Sequence, residues 1–226
     1  MLLLGCNNLA AQQNLKEFPG IWYTYFADYG INEKWSIHHE THMHLYEPFQ
    51  NFNRFVMRGG ANYNLTPTLT ASVIYHYSTS DPTRLDINSV NRLDENRFME
   101  QLVFRHGTGK WKLSHRIRVE QRYQSKEGEP FTAHRARYRF LANHTLVGPF
   151  YFSTDGEALA ERQDHTNMSY RLSGALGVYL QQNLRFQLGI THFFLPEGRQ
   201  DDRLRALLLF RTPPTNKRTQ VIPEGE

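Results

Sequence analysis

The stretch Trp111–Tyr123, reading WKLSHRIRVEQRY, decides the fold. Trp111, Leu113, Ile117, Val119 and Tyr123 share one parity, while Lys112, Ser114, Arg116, Arg118, Glu120 and Arg122 share the other. Successive side chains of a strand point to opposite faces, so this segment has one apolar face with aromatic ends and one face crowded with charge. A helix would need a 3.6-residue period, and no segment of the chain shows one convincingly.

The same alternation recurs on both sides of this stretch. Trp35, Ile37, His39, Thr41, Met43 and Leu45 alternate with Ser36, His38, Glu40, His42 and His44; Leu69, Ala71, Val73, Tyr75 and Tyr77 alternate with Thr70, Ser72, Ile74, His76 and Ser78. Further along, Tyr170–Leu180, Leu184–Ile190 and Leu204–Phe210 carry it on. Eleven strand signals result, near 20–29, 33–46, 53–64, 68–79, 97–106, 110–123, 133–143, 149–159, 167–180, 183–194 and 203–211. Strands of roughly ten residues or more are long for a soluble sandwich and suit a tilted membrane crossing. Aromatics such as Trp22, Trp35, Tyr63, Tyr77, Trp111, Tyr123 and Phe194 flank the apolar parity, as girdles do around an outward apolar band. Short turns at 30–33, 64–68, 106–110 and 181–183 alternate with longer polar stretches at 47–53, 80–96, 124–132, 160–167 and 196–202. The expectation is an all-β, antiparallel up-and-down transmembrane β-barrel of ten to twelve strands, with short periplasmic turns and longer outer loops. Bacterial single-chain barrels usually have an even count, so ten and twelve both stay open beside the eleven signals.

Composition narrows the alternatives. The 226 residues include 26 Lys plus Arg against 22 Asp plus Glu, a net charge of only +4. That is not the dense basic run of a nucleic-acid binder, and the arginines distribute around a lumen rather than over one exposed face. No run approaches the ~18 apolar residues of a spanning helix. A single cysteine rules out an internal disulfide and a Cys-based zinc site. At the N-terminus, Leu2–Leu4 and Leu9-Ala10-Ala11 resemble the end of a signal peptide. Residues 1–11 are read as a truncated signal peptide and 12–226 as a single outer-membrane barrel domain. Leu3-Leu4-Gly5-Cys6 also resembles a lipoprotein box that would lipidate Cys6.

The polar parity carries the candidate functional residues. Arg54, Arg58, Arg97, Arg105, Arg116, Arg118, Arg122, Arg135, Arg137, Arg139, Arg171, Arg185 and Arg205 all fall on it, with Glu40, Glu95, Glu120, Asp155 and Glu157 as partners. Like charges on neighbouring strands repel unless paired or hydrated, and the guanidinium fork lets one carboxylate hold two arginines. Two readings follow: a lumen filled by an Arg–Glu network, or an electropositive lumen that attracts phosphate, sulfate or acidic sugars. His38, His42 and His44 share a face with Glu40 at successive spacings of about 6.5–7 Å. They are weak metal candidates that need help from a neighbouring strand; a polar wall that uses histidine is the simpler account, and no cofactor is expected. His76 with Ser78, and Ser114 with Glu120, share faces near a rim, but neither G-x-S-x-G nor H-E-x-x-H occurs, so no enzyme is expected.

From Arg97 to Arg139 the chain also resembles a known family. Glu95, Arg97 and Gln101, then His115, Arg116, Arg118, Glu120 and Arg122, then Arg135, Arg137, Tyr138 and Arg139 match the pattern of the outer-membrane barrels grouped as domain of unknown function 2490. Asn62-Tyr63-Asn64-Leu65-Thr66-Pro67 resembles that family's strand–turn–strand element. Its acidic and D-Q-N-R elements have only partial echoes, in Asp155-Gly156-Glu157 and Gln163–Asn167. The resemblance spans about Trp22 to Phe210 and implies an exported bacterial outer-membrane barrel with no established activity. The functional expectation is a monomer in outer-membrane lipid and lipopolysaccharide, either a structural barrel or a narrow anion-preferring pore. A lipid- or lipopolysaccharide-modifying enzyme at the rim, and a soluble ligand-binding barrel, are the alternatives.

Overall fold

The computed structural model describes residues 19–47, 49–81, 93–126, 129–163 and 165–213. The expectations for the leader and Cys6, and for most of the 80–96 loop, lie outside them. Eleven strands close into one barrel: β1 (Gly20–Gly30), β2 (Trp35–Glu47), β3 (Gln50–Asn64), β4 (Leu69–Ser80), β5 (Leu93–Thr108), β6 (Trp111–Lys126), β7 (Glu129–Thr145), β8 (Phe150–Arg162), β9 (Thr166–Gln181), β10 (Leu184–Phe194) and β11 (Gln200–Thr212). A short 3₁₀ turn, Pro196–Gly198, precedes β11.

Each strand pairs antiparallel with the next, and β1 closes on β11 in parallel, from Gly20 opposite Arg203 to Tyr29 opposite Thr212. The parallel seam is forced by parity. In an up-and-down barrel with an odd strand count, the first and last strands run the same way. Gly30 N–H donates to Thr212 Oγ1 at 2.9 Å and secures one end of the seam.

Burial is inverted relative to a soluble core. Outward aliphatics are exposed, such as Val73 at 63% and Leu176 at 65%, while Arg118 and Glu120 facing inward are each 1% exposed. The parity assigned from the sequence on β2, β4 and β6 is the parity observed, since Glu40 pairs with inward Arg58, His76 with Arg97 and Arg118 with Arg137. Trp22 departs from its expected place in the outer girdle. It lies on the inward parity, stacked on His44 with centroids 4.2 Å apart and edge-on to Phe193 at 5.2 Å. Indole and imidazole planes suit each other there, and the inner wall of β1, β2 and β10 is less charged than that of β5–β8.

The loops are less uneven than their composition suggests. β6 and β7 run on through Lys126 and Glu129, and β8 and β9 continue to Arg162 and Thr166. Residues 124–126, 129–132, 160–162 and 166–167 extend the hairpins instead of leaving them, because a ladder satisfies the backbone groups there. Only the 81–92 connection remains long. Two glycines are required by geometry. Gly109 turns the two-residue β5–β6 connection with φ of 54°, a left-handed conformation other residues resist. At Gly177 a Cβ would lie 2.2 Å from the Tyr151 ring, which packs against this bare backbone inside the barrel.

Candidate functional site in the charged lumen

Four consecutive strands, β5 to β8, build a continuous ion-pair wall. Glu120 on β6 is its hub: its carboxylate accepts from Arg97 Nη1 and from Arg137 Nη1, each at 2.9 Å. Arg135 and Arg118 stand slightly further off, at 3.8 and 3.9 Å. Glu157 on β8 receives Arg137 through Nη2 at 2.6 Å and Nε at 3.1 Å, and Arg116 Nη2 at 2.7 Å. Arg171 reaches Glu157 from the other side at 3.6 Å. Towards the long-connection end, Glu95 holds Arg97 Nη2 at 2.5 Å and Arg122 Nε at 2.6 Å, and Glu161 bridges Arg122 and Arg135. Gln101 takes both Nε and Nη2 of Arg118, at 3.0 and 2.7 Å, and passes a hydrogen bond to Ser72 Oγ at 3.2 Å.

The structure thus brings Glu95, Arg97, Gln101, Arg116, Arg118, Glu120, Arg122, Arg135 and Arg137 into one network. Arg139 shares their face but has no hydrogen bond or ion pair among the described residues, and its Nε is buried without a partner. Alternation is the physical reason the set could be read in advance: strands in register place same-parity residues side by side. Glu161 was hidden because its segment reads as a loop. Its signal is the four-residue step from Glu157, which keeps it on the same face once β8 is extended.

A second chain of contacts runs along β1–β4. His38 sits between Asp28 Oδ1 at 3.1 Å and Glu40 Oε1 at 3.0 Å, an arrangement in which both ring nitrogens donate. Glu40 also meets His42 Nε2 at 2.8 Å and is clamped by Arg58, whose Nε donates to His76 Nδ1 at 2.9 Å. Asp28 further accepts from Asn62 Nδ2 at 3.0 Å and Arg211 Nη2 at 2.9 Å. His38 and His42 are therefore spent on carboxylates, and His44 is stacked on Trp22, so the three weak metal candidates do not converge on a point. Among the described residues, no group of three ligating side chains is placed to hold a metal ion.

Nor do the possible catalytic pairs form. His76 Nδ1 is occupied by Arg58, Ser78 Oγ has no hydrogen-bond partner, and Glu120 is filled by arginines rather than turned to Ser114. His115 faces outward, with Nδ1 2.8 Å from Tyr138 OH and Nε2 3.2 Å from His106 Nε2.

Eleven mostly antiparallel strands thus form a closed barrel that is apolar outside and ion-paired within. The chain belongs to the family described as protein of unknown function (DUF2490), whose model matches residues 19–204. A solved structure described as "NanC porin structure in rhombohedral crystal form" is similar in fold, with a TM-score of 0.54 over 85% of this chain and 99% of that one, at 11% identity. No curated protein matches the chain.

Proposed function

We propose that this chain is a bacterial outer-membrane barrel that acts as a narrow, anion-preferring pore. The observation carrying the reading is the imbalance inside the barrel. Glu95, Glu120, Glu157 and Glu161 of the β5–β8 wall are each shared by two or more arginines, and Arg54, Arg105, Arg139 and Arg185 remain on the inner face without an ion pair among the described residues. A low-dielectric wall with surplus fixed positive charge raises the local concentration of anions and repels cations. The outward aliphatic band and long strands support placement in a membrane, and the porin-like fold supports a role in passage rather than catalysis. Outer-membrane lipid and lipopolysaccharide are then its surroundings, and its solutes small anions.

One observation favours a second reading, in which the barrel is structural and shut. Glu95 is 0% exposed and Glu120 1%, so the network fills much of the lumen at that height. Single-channel recording of the refolded barrel in a planar bilayer separates the two. A steady current whose reversal potential under a salt gradient reports anion preference is expected, and replacing Arg116, Arg118 and Arg137 together by Gln should lower that preference. Absence of current from a barrel shown to be inserted would make the network a plug.

A further inference from the structure

The inner wall of β3–β5 gathers buried donors of three chemical kinds that have no partner: an imidazole N–H, a hydroxyl and a guanidinium Nε–H. His76 accepts from Arg58 Nε at its Nδ1, so in the neutral ring the proton is on Nε2, and that N–H is buried with no partner. Ser78 Oγ, two residues on along the same face of β4, is also buried and unpartnered. Across the ladder, Arg97 lies opposite His76, and its Nε is a third unpartnered donor although both its Nη atoms are engaged. Arg54 completes the patch. It lies on the inward face of β3, opposite Ser80 and so one inward position from Ser78, and has no hydrogen bond or ion pair among the described residues.

His76 and Ser78 are each 1% exposed, and Arg97 3%. Native structures rarely leave such donors unsatisfied, and a cluster of them on one wall calls for an acceptor. Glu95 is the carboxylate closest in register, opposite Ser78, but Arg97 and Arg122 each take one of its oxygens. The missing acceptor is therefore not supplied by the wall itself.

We propose that His76, Ser78, Arg54 and Arg97 Nε form a binding subsite for one small oxyanion or carboxylate group. Such a group has several acceptor lone pairs around one centre, which matches an N–H, an O–H and two guanidiniums carried at neighbouring inward positions of three adjacent strands. The subsite rests on the reading that the lumen admits anions. It adds a specific station on the β3–β5 wall, where an imidazole, a hydroxyl and two guanidiniums lie on neighbouring inward positions.

The test is isothermal titration of the folded, detergent-solubilised barrel with inorganic phosphate at low ionic strength. Arg54→Gln and Ser78→Ala are compared with Arg199→Gln, on the exposed connection before β11, as a control outside the lumen. The expected result is one saturable equivalent, weakened at least tenfold in Arg54→Gln and severalfold in Ser78→Ala, and little changed in Arg199→Gln. Because Ser78 Oγ bonds to nothing, Ser78→Ala should leave the unfolding midpoint unchanged or raise it, which a structural hydroxyl would not do. Unaltered binding in both patch variants, or an equal loss in Arg199→Gln, would overturn the subsite while leaving an anion-selective lumen in place. No saturable binding overturns the subsite as well, and the bilayer recording then shows whether the pore reading falls with it.

Discussion

Glu120 shows how much a single position carries. It meets Arg97 and Arg137 directly and has Arg118 and Arg135 within 4 Å, all in a lumen where bulk water contributes little. Removing the carboxylate leaves several guanidiniums without a counter-charge, and breaking a buried pair from one side typically costs about 3–5 kcal/mol. Glu120→Ala should lower the unfolding free energy of the detergent-folded barrel by about that amount, read from urea denaturation. A midpoint equal to the parent's would contradict its role as hub. Glu157→Ala should behave similarly, because Arg137 and Arg116 depend on it. At this scale the sequence was informative about which arginines face inward, since parity alone fixes that. It was silent on which carboxylate each arginine chooses. Arg118 prefers neutral Gln101 to Glu120, a choice set by side-chain reach and competition among four neighbours. The unpartnered donors of His76 and Ser78 were equally illegible, because an absence of partners is visible only after every neighbour is placed.

At the scale of elements, β5 holds an outward residue that breaks its own pattern. Glu100 sits between Phe98 and Leu102 on the apolar parity, beside Val73 of β4 and Val119 of β6. With Trp35, Ala61 and Tyr63 it lines an outward groove of about 480 Å³. Among the described residues it has no ion-pair partner, so in the proposed membrane setting a carboxylate faces hydrocarbon. Lipid-facing charge is destabilising, less for Asp and Glu than for Arg and Lys. Glu100→Leu should therefore raise the stability of the barrel refolded into lipid vesicles by on the order of 1 kcal/mol, with a smaller gain in detergent, where water reaches the groove. A variant less stable than the parent would show that the carboxylate has a partner in the bilayer. The alternation of β5 made the outward placement of Glu100 readable from sequence. The extent of the strands was not, because polar residues of a hairpin tip and of a loop look alike when both are in water. β6 and β7 pair all the way to Lys126 and Glu129 through residues whose composition alone suggests a turn.

Closure belongs to the whole molecule and is its least local feature. Eleven strand signals are present in the sequence and eleven strands in the fold, yet an odd count conflicts with the even-number habit of bacterial barrels. The conflict is resolved by a bond pattern no local signal announces: β1 and β11, some 180 residues apart, pair in parallel over Gly20–Tyr29. Hairpin pairing follows from the turn between two strands, whereas this seam depends on the shear and tilt of all the others being mutually consistent. Parallel pairing is also slightly weaker per residue than antiparallel, so the seam is where the barrel should open first. Tyr25 and Leu208 are register partners there, both on the outward face. In a Cys6→Ser background, Tyr25→Cys with Leu208→Cys should form a disulfide on mild oxidation of the folded barrel, since strand partners lie within the roughly 4.4–6.8 Å Cα range such a bond needs. The cross-link should raise the temperature at which the compact, fast-migrating band on a gel converts to the slow one, and reduction should reverse the gain. Efficient cross-linking only after shifting one cysteine by two positions would indicate a different shear, and failure at every register would mean that β11 closes on something other than β1.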